Sequence, residues 1–352
     1  VAMSAKCRLC GEARPVMSSS LGLCPACARR SESRAIARET HDLSLRRFGL
    51  AMPSGHGARC GQCVNDCEIG EGERGLCGVR ANLSGKVVPV ADTDAFVDWY
   101  YDPLPTNCVA EWVCGAADSC RSSRGKNLAV FFYGCSFDCL FCQNWTHKTV
   151  TSSRAPRRTI QKLVRSVDTD TFCVCFFGGD PTPQLQFAFR ACEMWLGMGE
   201  STPRICWETN GSMSPGLADR VAEFSAKTGG TVKFDLKAYD EDLHRSLCGA
   251  SNRQTMSNFQ RLARRYAGED RAVLVASTLL VPGYIDADEV RLIAEFIASV
   301  DVNIPYSLLA FHPDYLFSDL PTTTWTDAQE AADAAARAGL RNVRIGNAHV
   351  LS

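Results

Sequence analysis

Gly134-Cys135-Ser136-Phe137-Asp138-Cys139-Leu140-Phe141-Cys142 is the stretch on which the rest of the chain turns. It follows the apolar run Leu128–Tyr133, which reads as a strand, so three thiols spaced Cys-x3-Cys-x2-Cys sit on a loop directly after it. Three thiolates on so short a loop can hold three irons of a cubane cluster and leave the fourth iron for another ligand. An open coordination position separates a reactive metal centre from a structural one.

The same punctuation recurs further along. Strands are predicted at Thr171–Phe177, Arg204–Trp207, Thr231–Phe234, Val273–Leu280 and Tyr306–Phe311. Each ends in a polar or glycine-rich turn: Gly178-Gly179-Asp180-Pro181, Glu208-Thr209-Asn210-Gly211, Asp235-Leu236-Lys237, Val281-Pro282-Gly283 and Phe311-His312-Pro313. Helical patterns lie between them at Gln184–Met198, Pro215–Lys227, Asn252–Tyr266 and Ala287–Val300, and the Asp286/Glu289 and Thr326/Gln329 spacings resemble capping boxes. Six alternations of strand and helix predict an α/β fold over residues 126–352, a partial (β/α)6 barrel of parallel units. The six turns then share one rim, where such barrels keep their chemistry.

Composition narrows the classes. The 352 residues are 45% hydrophobic and 22% charged with formal charge −1, which excludes collagen-like and disordered chains and gives no electrostatic case for nucleic acid or an anionic membrane. The longest apolar run, around Ala272–Val281, is half a bilayer span, and the absence of a signal-like apolar segment predicts a cytoplasmic location. The anomaly is 19 cysteines, an odd number with no export signal, which favours metal or redox chemistry over disulfides.

Fourteen cysteines lie within the first 142 residues. Residues 1–80 are predicted as a cysteine-rich metal-binding domain. Cys7, Cys10, Cys24 and Cys27 form two Cys-x2-Cys knuckles suited to one tetrahedral Zn²⁺ or mononuclear iron, without choosing between them. Cys60, Cys63, Cys67 and Cys77 suit an auxiliary [4Fe–4S] cluster or a second zinc. Residues 81–125 read as an irregular connector, whose Cys108, Cys114 and Cys120 are expected to bring another cluster to the barrel edge, open to substrate or to Glu111. Of the remaining five, Cys173, Cys175, Cys192 and Cys206 are expected to be core cysteines. Cys248, after the Asp235–Lys237 turn, is the candidate for a substrate or radical role.

From about residue 60 onward the sequence resembles radical S-adenosylmethionine (SAM) enzymes, in the branch of glycyl-radical-enzyme activases and AmmeMemoRadiSam-type proteins. The matching stretches are Cys60–Asn82, Cys135–Trp145, Phe177–Pro181, Glu208–Gly211, Asp235–Lys237 with Leu247–Asn252, Leu280–Gly283 and Val343–Asn347. The resemblance implies that Cys135, Cys139 and Cys142 bind a [4Fe–4S] cluster whose open iron is chelated by SAM. Reductive cleavage of SAM then yields methionine and a 5′-deoxyadenosyl radical that takes hydrogen from a substrate, small molecule or protein. It also implies anaerobic operation and a low-potential donor of flavodoxin or ferredoxin type. By the same resemblance Phe141 and His312 contact the adenine, Gly178, Gly179 and Asp180 line the amino group, and Glu208, Thr209, Asp235 and Lys237 surround the carboxylate. Three departures stand out: Asp180 where the family has Glu, Glu208 where it has Asp, and Ser277 where activases carry Arg. An activase and a SAM-independent iron–sulfur electron carrier are the alternative readings; the Gly178–Pro181 and Asp235–Lys237 turns speak against the carrier.

Overall fold

The computed structural model describes residues 6–91, 93–104, 108–114, 125–199, 202–269 and 271–352. Its centre is an eight-stranded sheet of β1 (Val97–Pro103), β2 (Lys126–Phe132), β3 (Thr171–Gly178), β4 (Arg204–Thr209), β5 (Val232–Asp235), β6 (Leu274–Leu280), β7 (Tyr306–Ala310) and β8 (Val343–Gly346), in spatial order β8-β7-β6-β5-β4-β3-β2-β1. Strands β2 to β8 are parallel to their neighbours, and β1 runs antiparallel to β2. The α/β barrel expected from the alternation is present, with a seventh parallel strand, β8, added at its end.

Two local readings need correction. The stretch read as an irregular connector supplies β1, paired along its whole length from Val97–Phe132 to Pro103–Lys126, and a hairpin of Arg80–Leu83 with Lys86–Pro89. Its Tyr and Asp residues hid the alternation that a half-exposed edge strand shows. The capping box read at Thr326/Gln329 lies two residues earlier: Thr324 caps the helix Trp325–Arg337, and its hydroxyl accepts from the backbone of Asp327. The cap at Asp286 is where the spacing put it, accepting from the Glu289 backbone at 3.0 Å, but the Glu289 carboxylate accepts from the Tyr239 and Asp240 backbones instead of closing a box.

Side chains alternate across the strands. Val174 and Phe176 of β3 and Ile205 and Trp207 of β4 face the outer helices, where Phe176 packs at 4.5 Å from Trp207 and 6.0 Å from Trp195. The intervening positions face the lumen, among them Cys173, Cys175, Phe177, Cys206, Glu208, Lys233 and Asp235. The fully buried aromatic set, Phe176 with Trp195 and Trp207, lies on the helix-facing side, and a one-residue slip would exchange it with the lumen-facing set.

The N-terminal segment is docked on the rim. The Tyr284 hydroxyl, after the Val281-Pro282-Gly283 turn, donates to the Leu23 carbonyl at 2.7 Å and accepts from the Ser18 backbone, while Arg29 donates to the Tyr284 carbonyl. Gly283 has φ +78°, and a Cβ there would sit 3.0 Å from Val16. Helix α1 (Arg34–Arg46) lies against the helix Glu241–Cys248 and, through it, over the Cys135–Cys142 loop. Among the described residues no helix is long and apolar enough to cross a membrane.

Candidate active site at the barrel rim

The C-terminal ends of β2 to β6 surround a chamber of about 190 Å³, open at its mouth. Cys135, Cys139 and Cys142 line it together with Phe141, Gly178, Gly179, Asp180, Glu208, Thr209, Asp235 and Lys237. Eleven residues predicted from four separate stretches of sequence are therefore in one wall. His312 is not: it lies outside the chamber lining, with Nδ1 turned to the Pro313 carbonyl. Cys248 is fully buried behind the cluster loop, its carbonyl accepting from the Asp138 backbone. There its thiol is positioned against Cys139 and lowers the Cys139 pKa.

Asp138 holds the loop in place. Fully buried, its carboxylate accepts from Lys148, from the Ser44 hydroxyl at 2.8 Å, and pairs with His41 Nδ1 at 2.8 Å. Ser44 and His41 both come from α1, so the N-terminal unit reaches into the Cys-x3-Cys-x2-Cys loop itself. A second clamp comes from the Cys60–Cys77 segment: Asn65 donates to the Ser136 carbonyl at 2.5 Å and the Val64 backbone donates to Ser212. Gly134, with φ +82°, passes so close to Cys77 that a Cβ would lie 2.7 Å from its carbonyl.

The acidic residues are not free. Asp180 accepts from Thr209 Oγ1 at 2.9 Å and from the Asn210 and Thr182 backbones, so its shorter side chain ties two rim turns together. Burial raises its pKa, against those hydrogen bonds. Glu208 pairs with Lys233 at 2.9 Å, and Asp235 with Lys237 at 2.7 Å and with the Ser277 hydroxyl at 2.7 Å. Burial works against the Lys237 charge, but Asp235 and Cys139 outweigh it and keep it above the usual lysine range. Two ammonium groups thus stand among the carboxylates. At Gly178, with φ +115°, a Cβ would lie 2.6 Å from the Phe132 backbone nitrogen; no other residue fits there.

The wall also contains residues the sequence reading passed over: Gln143, Asn144, His147, Asn210 and Lys233. Gln143 and His147 follow the third cysteine within five residues, and that proximity was the available signal. Gln143 Nε2 and His147 Nδ1 are buried without a partner. Burial pushes His147 down to about 4, so the imidazole is neutral. Orphaned donors beside three cluster-spaced thiols fit a polar ligand on the open iron, since unpaired buried polar groups cost about 1–3 kcal/mol each.

The other cysteines separate cleanly. Cys7, Cys10, Cys24 and Cys27 bring their sulfurs within 4.8 Å of one another, able to hold one metal ion. Among the described residues no other group of three or more metal-binding side chains is as tight. Cys60, Cys63, Cys67 and Cys77 share one neighbourhood, in which burial pushes Cys77 up to about 12 and Arg80 donates to Cys60 at 3.2 Å. Cys192 is a core cysteine as expected, but Cys173, Cys175 and Cys206 face the lumen rather than the outer core. Cys108 and Cys114 lie below the chamber, and Cys120 falls outside the described residues.

Comparison with known proteins agrees with this geometry. The radical SAM superfamily model matches residues 129–297. An uncharacterized protein of Methanocaldococcus jannaschii is 25% identical over 294 residues, covering 82% of this chain and 81% of its own length. The pyruvate formate-lyase 1-activating enzyme of Escherichia coli is 26% identical over 210 residues, 56% of this chain and 78% of that enzyme. A crystallised domain of a pyruvate-formate lyase-activating enzyme from Bacteroides vulgatus overlays with TM-score 0.40 and 22% identity, over 50% of this chain and 99% of that domain. Residues 129–297 thus match the radical SAM superfamily, and the chain is similar to its activating enzymes. That family works with a [4Fe–4S] cluster and SAM.

Proposed function

We propose that the chamber binds SAM on a [4Fe–4S] cluster held by Cys135, Cys139 and Cys142, and admits a substrate from the open mouth. When bound, the pair supplies a 5′-deoxyadenosyl radical able to abstract hydrogen from an unactivated position. The protein residues do the rest. Lys237, held charged by Asp235, offers an ammonium for a carboxylate. The Gly178–Gly179 backbone and the orphaned Gln143 and His147 nitrogens offer close polar contacts, and Phe141 an apolar face beside Lys237, 6.0 Å from its ring. Asp180 and Asp138 position the turns that carry these groups. The single observation that carries this reading is three cluster-spaced thiols and two orphaned polar atoms in one chamber wall.

The names of the relatives favour a protein substrate, the glycine-bearing loop of a partner enzyme, with reducing electrons from a flavodoxin- or ferredoxin-type donor in the cytoplasm. Ser277, where activases carry arginine, favours a different substrate within the same chemistry. The knuckle site then serves as a structural Zn²⁺ or Fe site, and Cys60, Cys63, Cys67 and Cys77 as an auxiliary cluster. Anaerobically reconstituted, reduced protein is expected to convert SAM to methionine and 5′-deoxyadenosine, and Cys142→Ala to abolish the conversion. Cleavage retained in that variant would overturn the assignment.

A further inference from the structure

Below the chamber, the barrel lumen holds a second thiol group that the rim chemistry does not use. Cys173 and Cys175 occupy successive lumen-facing positions of β3, and Cys206 is the register partner of Cys175 on β4. Adjacent strands lie about 4.8 Å apart, so the three thiols form a small triangle on one wall. Cys108 approaches from the segment 108–114, which is fastened to the opposite wall. There Ser307 donates to the Val109 carbonyl at 2.8 Å, Trp112 donates to Ser307, and Glu111 pairs with Arg344 at 3.0 Å.

Beside them stands Lys233, its side chain 1% exposed, donating to Cys175 at 3.0 Å and to Cys108 at 3.2 Å, with Glu208 as its third partner. An ammonium thus flanks a group of four thiols supplied by three chain segments, in contact with two of them. Cys108, Cys173 and Cys206 are only half-buried, while Cys175 is buried.

Core packing does not account for this arrangement. Buried cysteines used as small hydrophobes meet apolar neighbours; these meet an ammonium, a carboxylate, Asn127 and Thr231. A single tetrahedral ion does not account for it either. Such an ion, at about 2.3 Å from each sulfur, needs sulfurs about 4 Å apart, and among the described residues only the N-terminal knuckles are that tight. The wider spacing suits a polynuclear centre, and a cluster with four thiolates is anionic, which a buried ammonium donating to its sulfurs offsets.

We propose that Cys108, Cys173, Cys175 and Cys206 ligate an iron–sulfur cluster of cubane size in the barrel lumen, with Lys233 as its charge-compensating hydrogen-bond donor. This site replaces the Cys108/Cys114/Cys120 grouping expected from spacing, keeping Cys108 alone. It lies one layer beneath the SAM chamber, since Lys233 and Val109 line the chamber as well. The inference stands apart from the rim reading, because it needs no SAM cleavage.

Acid-labile sulfide decides it, since a mononuclear iron or zinc contains none. In the full chain, reconstituted anaerobically, Cys175→Ser/Cys206→Ser is expected to lower iron and sulfide by about four each, while the rim cluster still changes its EPR spectrum on adding SAM. A complementary chain keeps every lumen thiol and removes the other candidate clusters through Cys142→Ala and Cys60→Ala/Cys63→Ala. It is expected to retain about four irons and four sulfides. Sulfide unchanged in the first variant, or absent from the second while its circular dichroism stays that of the parent, would overturn the proposal. SAM cleavage by the parent protein is scored separately, so failure of the rim reading and failure of the lumen site remain distinct.

Discussion

The N-terminal knuckles and the rim loop both present cysteines on short loops, yet the two are built differently. The knuckle sulfurs lie within 4.8 Å of one another, closed around a point. The rim trio is wider, three-sided and turned toward a chamber. The knuckle geometry is local, made by turns in which the Gly11 backbone donates to Cys7 and Ala28 to Cys24. The rim loop is held by groups from far away, His41 and Ser44 through Asp138 and Asn65 through Ser136. A closed four-sulfur site leaves no position for substrate, whereas an open three-sulfur site must have its shape imposed from outside.

The sharpest way to break this comparison is to remove the knuckle metal. Cys24→Ser is expected to release one metal ion per chain and unfold the N-terminal segment, since structural sites of this kind contribute on the order of 10 kcal/mol. Metal analysis should show sulfide unchanged. A loss of sulfide together with the metal would mean that the knuckle cysteines belong to a cluster.

Asp138→Ala tests the rim loop. It strands the buried Lys148 and removes the anchor of α1, at a cost of about 3–5 kcal/mol. The rim cluster should be lost or poorly retained while the knuckle metal stays, as read by EPR and metal content. A variant that keeps its cluster and its denaturation midpoint would show that the loop orders itself, as the knuckles do.

The smallest effect concerns acid. His244, stacked edge-on to Phe137 of the rim loop at 5.1 Å and donating from Nδ1 to the Ala250 carbonyl, is pushed down to about 4 by burial. Its unfolded value is near 6.5, so between these values the unfolded chain binds the extra proton and stability falls as pH falls. Between pH 7 and pH 5 the share of the loss due to His244 should be about 2 kcal/mol, beside similar shares from His41 and His147, which burial also pushes down to about 4. His244→Asn, which keeps a donor for Ala250, should flatten that slope in chemical denaturation. An unchanged slope would assign the acid sensitivity elsewhere.

Much of the site could be read from the chain because each piece is short and local. Cys135, Cys139 and Cys142 sit within one loop, and Gly178, Glu208 and Asp235 each follow a strand by sequence rule. The roles of the acidic residues could not be read. Asp180 and Asp235 look like ligand-binding carboxylates until Thr209, Lys237 and Ser277 are seen beside them. Cys173, Cys175 and Cys206 look like core residues because alternation on a strand says that a residue faces one side, not which side holds the lumen.

The sequence by itself determined the barrel, its rim and the cysteine trio, because hydrophobic period, turn chemistry and metal-ligand spacing act over fewer than ten residues. Only the tertiary structure decided that β1 joins the sheet, that α1 reaches Asp138 across 94 to 97 residues of chain, and that Cys108 meets Cys175 at Lys233. Those contacts join segments far apart along the chain, and no local periodicity records which distant side chain will neutralise a buried charge.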